Sequence, residues 1–146
     1  MLVNGPKEMA ADAMKRLEMI SDTYLSMSAP VQHALPALLE TRHGLREQLQ
    51  KRVRGNVHEL DRQLAQQQVC SRLDVEGGWY AILRVPVTRN DEELAIALMD
   101  EAKVIVQPGH FFDFRKEGFL VVSLITPEQQ FAEGIRRVIS LLGSSV

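Results

Sequence analysis

The sequence predicts an α+β chain in which a long amphipathic spine helix is followed by a small antiparallel or mixed sheet with helices packed on one face. Three observations predict it. An apolar stripe at helical spacing runs from about Pro36 to Gln68, short apolar runs bounded by Gly and Pro follow it, and two capped helices with apolar stripes are set among those runs. The expected boundaries are an opening segment at 1–35, the spine helix at 36–68 and an α/β portion at 69–146.

Composition sets the outer limits. The chain has 146 residues, enough for one domain with a hydrophobic core or for one lobe plus a stretch of its neighbour. With 17 basic and 19 acidic residues the formal net charge is -2, which points neither to nucleic acid nor to an acidic membrane. Cys70 is the only cysteine, so an intrachain disulfide and a thiolate metal cage are both excluded. It reads as a small core residue, with a reactive thiol as the alternative. The histidines, His33, His43, His58 and His110, are scattered and form no HExxH pair. No apolar run approaches the ~18 residues of a membrane span. A basic stretch followed by an apolar segment is also missing at the N-terminus, so a reduced, cytoplasmic setting is expected.

Along the chain, Met9, Ala13, Met14, Leu17 and Ile20 recur at helical spacing and predict a helix from Lys7 to about Ile20, ended by Ser21-Asp22-Thr23. Ser28 then stands before Pro30 as a helix cap, and Pro36 is expected to interrupt or kink a helix begun there. The spine helix carries Leu38, Leu45, Leu49, Val53, Val57, Leu60 and Leu64 on one side, and Arg42, Glu47, Lys51, Arg54 and Glu59 among its other faces. Its span far exceeds the typical globular helix of about 11 residues, and a helix of that kind bridges bodies, zips to a partner or forms the spine of a lobe. Bridging is the preferred reading. Gly44 and Gly55 each cost it about 1 kcal/mol relative to alanine, which packing or a bend must offset.

After the helix, Val69–Asp74 and Trp79–Val85 read as strands joined through Glu76-Gly77-Gly78, with Trp79 and Tyr80 expected to face the core. Asn90 caps a helix whose buried side is Leu94, Leu98 and Ala102, with Glu93 in capping-box position. Val104-Ile105-Val106 and Phe119–Ile125 read as further strands. Thr126-Pro127 starts a last helix with Phe131, Ile135, Val138 and Leu142 inward, and Gly143 stops it.

Self-contained catalytic sets are missing: the sequence holds neither GxSxG nor a P-loop. Asp74 and Glu76 could pair as acids, but beside a Gly-Gly turn they read as solvated surface. A Schiff-base lysine needs a sheltered, partly neutral amine, and Lys7, Lys15, Lys51, Lys103 and Lys116 all stand in charged, helical or turn contexts. The segment Gln107-Pro108-Gly109-His110-Phe111-Phe112-Asp113-Phe114 is harder to dismiss, because solvent loops rarely carry so much aromatic area. It is either a loop folded back over the core or a pocket wall, with Gly109 admitting a close backbone approach and His110 offering a hydrogen bond. Tyr24, Ser26 and Ser28 could also hydrogen-bond a ligand.

Several of these segments together resemble a known family. The run from Lys15-Arg16-Leu17-Glu18 through Ser21-Asp22-Thr23-Tyr24-Leu25-Ser26-Met27-Ser28-Ala29-Pro30-Val31-Gln32 resembles the stretch that follows the catalytic lysine in class I/II, fold-type I aminotransferases dependent on pyridoxal phosphate. Gly77-Gly78-Trp79-Tyr80 is similar to their small-domain hairpin, Val104–Phe112 to V-x-V-x-P-G-x-x-F, and Glu117–Leu124 to the G-Y-V-R-L-S strand. The resemblance covers nearly the whole chain in order. It implies a remnant of the large cofactor domain at 1–35, an inter-domain helix at 36–68 and a C-terminal small domain at 69–146. The parent enzyme it implies is a homodimer that binds pyridoxal 5'-phosphate and moves an amino group from an amino acid to a 2-oxo acid.

Starting after the lysine motif, the segment itself is expected to be catalytically incomplete and to bind no cofactor of its own. Ser26 and Ser28 match a loop that approaches the neighbouring subunit's cofactor pocket in the family dimer. One departure stands out: the strand arginine that clamps the substrate carboxylate falls at Val121 here. Arg84 and Arg115 are the candidate substitutes, and His110 is a candidate to face the substrate. Whether the parent is a transaminase, a decarboxylase or a lyase stays open at this point. The rival readings are a free-standing α/β ligand-sensing or dimerisation module and, weakest, a nucleic-acid binder using Arg42, Arg46, Lys51, Arg52 and Arg54, whose basic character Glu40, Glu47, Glu59 and Asp61 interrupt.

Overall fold

The computed structural model describes residues 3–24, 27–74 and 76–144, and among them two α-helices lead into two strands, a third helix, two more strands and a last helix. The chain divides into two compact units, Met1–His43 and Gly44–Val146. In the first, α1 (Lys7–Thr23) has no buried residue and carries an Arg16–Asp12 ion pair of 2.9 Å one turn apart. It outruns its expected end at Ile20, since the Thr23 hydroxyl donates to the Met19 carbonyl at 3.0 Å and the Tyr24 N–H to Ile20 O at 3.2 Å. Those local bonds let polar residues finish the last turn.

Helix α2 (Ala29–Leu64) begins in the first unit and continues into the second. Its bounds correct the expected 36–68. Pro36 lies inside it rather than breaking it, and the N–H groups of Val31 and Gln32 both meet the Ser28 carbonyl at 3.1 Å, which starts the helix ahead of the proline. At the other end the Gln67 side chain closes the turn, accepting from the N–H groups of Val69 and Cys70 and donating to Cys70 O.

The second unit holds one sheet in the order β1-β2-β4-β3, every pair antiparallel, built from β1 (Ser71–Arg72), β2 (Tyr80–Arg84), β3 (Gln107–Pro108) and β4 (Phe119–Ser123). Strand alternation sends Ala81, Leu83, Leu120 and Val122 to one face. There they join Leu60 of α2, Leu94 and Leu98 of α3 (Asp91–Ala102), and Phe131, Ile135, Val138 and Leu142 of α4 (Glu128–Ser144) in a single core. The predicted α+β class with helices on one face is what forms, and the sheet is antiparallel. Cys70 belongs to this core, and burial pushes its thiol up to about 11, so it behaves as a small apolar residue.

Polar side chains stitch α2 to the rest of the unit. Asn56, 1% exposed, donates from Nδ2 to the carbonyls of Leu124 and Thr126, both at 2.8 Å. Gln63 donates to Ala132 O and to the Glu59 carboxylate, also at 2.8 Å. Arg72 forms a fork on Asp61 of α2.

Three local expectations are corrected. Val104-Ile105-Val106 is no strand. Helix α3 ends with Lys103 in the left-handed region and Val104 N–H turned back to Leu98 O, and pairing with β4 starts only at Gln107. Trp79 and Tyr80 do not face the core, being 50% and 40% exposed: Ala81 and Leu83 set the inward register of β2 and turn Tyr80 to the other face, while Trp79 precedes the strand and escapes its alternation. Thr126 turns its hydroxyl back to Ser123 O instead of capping α4, whose first bond runs from Phe131 N–H to Pro127 O, and Gly143 lies within that helix.

Candidate functional site

The register that fills the core leaves Tyr80, Ile82 and Arg84 of β2 and Phe119, Val121 and Ser123 of β4 on the opposite face. None of these joins the helix-covered core. Val121 lies at the centre of this second face, directly across from Ile82 on one side and Gln107 on the other, and is itself 2% exposed. Arg84 sits opposite Phe119, and its guanidinium lies 5.9 Å from the centre of that ring. Thus Arg84 shares a face with Val121, diagonal to it across the β2–β4 pair at about 7–8 Å.

After β3 the chain turns through a single 3-10 segment, Gly109–Phe112, that brings Phe112 edge-on to Tyr80 at 5.3 Å. Phe114 packs on Phe119 at 4.5 Å, and His110 stands edge-on to Phe111 at 4.7 Å. The aromatic loop is therefore neither a plain solvent loop nor a lid over the helical core. Two of its rings, Phe112 and Phe114, contact open-face residues, while Phe111 stays 67% exposed.

Asp91 fixes this arrangement and was not found by sequence reasoning. It is 2% exposed, and its carboxylate accepts the N–H groups of Gly118, at 2.6 Å, and Phe119, at 3.2 Å. Its own N–H donates to the Glu117 carboxylate at 2.6 Å. Gly109 presses into the same notch: a Cβ there would stand 2.8 Å from Phe119 Cβ and 3.1 Å from Asp91 Oδ2. Gly118, at a φ of +98°, leaves room for a methyl of Val87. The only available sequence signal was an Asp directly after the Asn90 cap, where a helix start alone would explain it; the Asn90 side chain does accept from Glu93 N–H at 2.8 Å.

Of the residues singled out from sequence, Arg84, His110 and Arg115 all fall in the second unit and are exposed. Among the described residues Arg115 forms no ion pair. Ser28 is exposed in the first unit and serves α2 through its carbonyl; Ser26 lies outside the described residues. Asp74 and Glu76 are exposed, and Asp74 lies 3.9 Å from Arg72. A separate groove of about 700 Å³ runs between α2 and the Gly77-Gly78 turn, with Leu49, Val53, Trp79 and Ile125 in its walls.

Chemically, this face offers a guanidinium and aromatic rings, and the exposed His110 imidazole lies on the adjoining turn beside Phe111. All five lysines, Lys7, Lys15, Lys51, Lys103 and Lys116, are exposed. Among the described residues no group of His, Cys, Asp and Glu is placed to hold a metal, and no helix is long and apolar enough to cross a membrane.

Comparison with known proteins follows the same lines. The family model for aminotransferases of class I and II matches residues 7–138. No curated protein gives a match. Among solved structures, the tyrosine aminotransferase of Leishmania infantum is similar at a TM-score of 0.76 and 20% identity, over 95% of this chain and 35% of that one. An aspartate aminotransferase from Thermotoga maritima gives 0.70 at 24% identity, over 94% and 34%. A PLP-dependent aminotransferase from Streptococcus suis gives 0.77 at 14% identity, over 89% and 34%. At such identities the likeness is one of fold, and the chain spans about a third of each of these proteins.

Proposed function

The chain belongs to the aminotransferase class I and II family, and from that premise we propose that it is the C-terminal lobe of an enzyme that moves an amino group between an amino acid and a 2-oxo acid. In this reading residues 1–35 are a remnant of a larger cofactor domain, the long helix links the domains, and 69–146 form the small domain. The parent is a cytoplasmic homodimer that holds pyridoxal 5'-phosphate, the group that supplies the electron sink for such chemistry.

The residues present here do not form a cradle for that group. An imine-forming lysine must be sheltered, whereas every lysine is exposed, and the buried carboxylate of Asp91 is already committed to two backbone N–H groups. What the chain contributes is the substrate side. The observation that carries this reading is the open face of the sheet, where Arg84 stands over Phe119 next to the valine that occupies the place of the family's carboxylate-binding arginine. Arg84 is assigned to the substrate carboxylate, Arg115 is its loop alternative, and His110 lies on the 3-10 segment that bears Phe112.

The test has two arms. Mixed with pyridoxal phosphate and borohydride, the 146-residue chain should yield no stoichiometric adduct at one lysine; such an adduct overturns the assignment. The reading frame should extend upstream into a domain with the cofactor lysine. In that longer enzyme Arg84→Ala should lower kcat/KM for the amino acid about 10- to 150-fold, the worth of one charge-assisted contact. If neither Arg84→Ala nor Arg115→Ala changes it, the carboxylate assignment is wrong. A free-standing module is the second reading, favoured by the complete core of the Gly44–Val146 unit, and a natural product that starts at Met1 would select it.

A further inference from the structure

Resting on that reading of the open face, we propose that Asp91 is a positioning residue that sets the geometry of the substrate-facing loop without touching the substrate. An aspartate in the first turn of a helix usually faces solvent near the positive end of the helix dipole. Asp91 instead turns inward from α3, at 2% exposure, and takes the N–H groups of Gly118 and Phe119 where β4 begins. Its backbone N–H is held in return by Glu117, the residue just before that turn.

Three segments meet at this carboxylate. The third is the start of the 3-10 turn, where Gly109 lies so close to Phe119 and to Asp91 Oδ2 that no side chain fits. Part of what is assigned to the substrate side rests on those segments: His110 lies on the turn, and Phe119 is the ring beneath Arg84, which itself stands on β2. Phe119 is the shared element, since its N–H is bound by Asp91 while its ring carries the guanidinium. Loosening the clasp therefore displaces the arginine platform and the aromatic turn together, and leaves the helix-covered core, which contains neither, in place.

The experiment uses Asp91→Asn, which keeps the shape but turns an NH2 group toward N–H donors. In the 146-residue chain, amide exchange at Gly118 and Phe119 should accelerate about tenfold or more, with NMR shift changes through Gly109–Phe112 and none in the middle of α4. In the longer enzyme, KM for the amino acid should rise about tenfold while kcat at saturation changes less than about threefold. Leu94→Ala, in the core side of the same helix, is the control: it should lower Tm yet leave KM unchanged. Unaltered exchange at Gly118 and Phe119 overturns the clasp. Faster exchange with an unchanged KM, or a KM effect that Leu94→Ala reproduces, makes Asp91 merely structural and overturns the proposal. The underlying reading is tested separately: if Arg84→Ala is silent, the open face does not receive the substrate, whatever the exchange data show.

Discussion

On one face of the sheet Ala81, Leu83, Leu120 and Val122 lie beneath side chains from α2, α3 and α4, while on the other Tyr80 meets Phe112, Phe119 meets Phe114, and Val121, 2% exposed, lies between Ile82 and Gln107. The first face is aliphatic and closed. The second is aromatic, carries an arginine, and leaves Tyr80 40% exposed. Folding alone accounts for the first, because burying aliphatic stripes is what holds small α+β units together. It does not account for the exposed Arg84 guanidinium, which lies 5.9 Å from the centre of the Phe119 ring and forms no ion pair among the described residues. Under the proposed function, stability and substrate contact are divided between neighbouring residues of the same strands.

The sharpest way to break this comparison is to place one charge on each face of β4. Val122→Arg drives a guanidinium into the core and should cost more than about 4 kcal/mol, enough to unfold the second unit. Val121→Arg, one residue earlier and itself only 2% exposed, should cost less, about 2–3 kcal/mol, since it lies outside the helix-covered core and beside half-buried Ile82 and exposed Gln107, past which the charge can run out to solvent. Urea denaturation of the two variants measures the difference. Equal losses would mean that both faces are closed and that the division proposed here does not exist.

Smaller effects sharpen the picture of the closed face. Leu60→Ala empties a fully buried site where α2 meets the core and should cost about 2–5 kcal/mol in the same assay. Tyr80→Ala, on the other face, should cost no more than about 1.5 kcal/mol, roughly its edge-on contact with Phe112. Asn56→Ala leaves the carbonyls of Leu124 and Thr126 without their donor and should cost about 1–3 kcal/mol. A loss below about 0.5 kcal/mol would mean that water replaces the amide at once.

How much of this was legible follows from the same division. The closed face announces itself by periodicity: Leu94 and Leu98, and Phe131, Ile135, Val138 and Leu142, are spaced as a buried helix face requires, and all were found where expected. Tyr80 was read onto the wrong face because composition does not say which parity of β2 points inward, and Trp79, though it has the inward parity, precedes the strand. Val104–Val106 has the composition of a strand, but the partner it would need is reached only after the left-handed turn at Lys103. Of the site, the aromatic loop and Arg84 could be picked out by residue type. Asp91 could not, since what makes it important is a pair of N–H groups more than 25 residues away in sequence.

The smallest expected effect lies at the rim of the closed face and depends on pH. Arg62, and after it Gln63, hydrogen-bond the Glu59 carboxylate and hold its pKa down at about 2, against an ordinary value near 4.5. A carboxyl group lowered on folding contributes stability that is fully present above the unfolded value. That contribution is lost as pH falls through the folded one, so the window here runs from about 4.5 down to about 2. The stability difference between the wild type and Glu59→Gln should therefore be constant above pH 5 and shrink steadily below it. Because Gln63 also donates to Ala132 O, protonating Glu59 should loosen the junction of α2 with α4 before it reaches the sheet, visible as earlier amide exchange around Ala132 than at Val121. A wild-type and variant pair whose difference stays flat from pH 5 to pH 2 would show that Arg62 prefers solvent to this carboxylate, and the rim would then contribute nothing to holding the closed face shut.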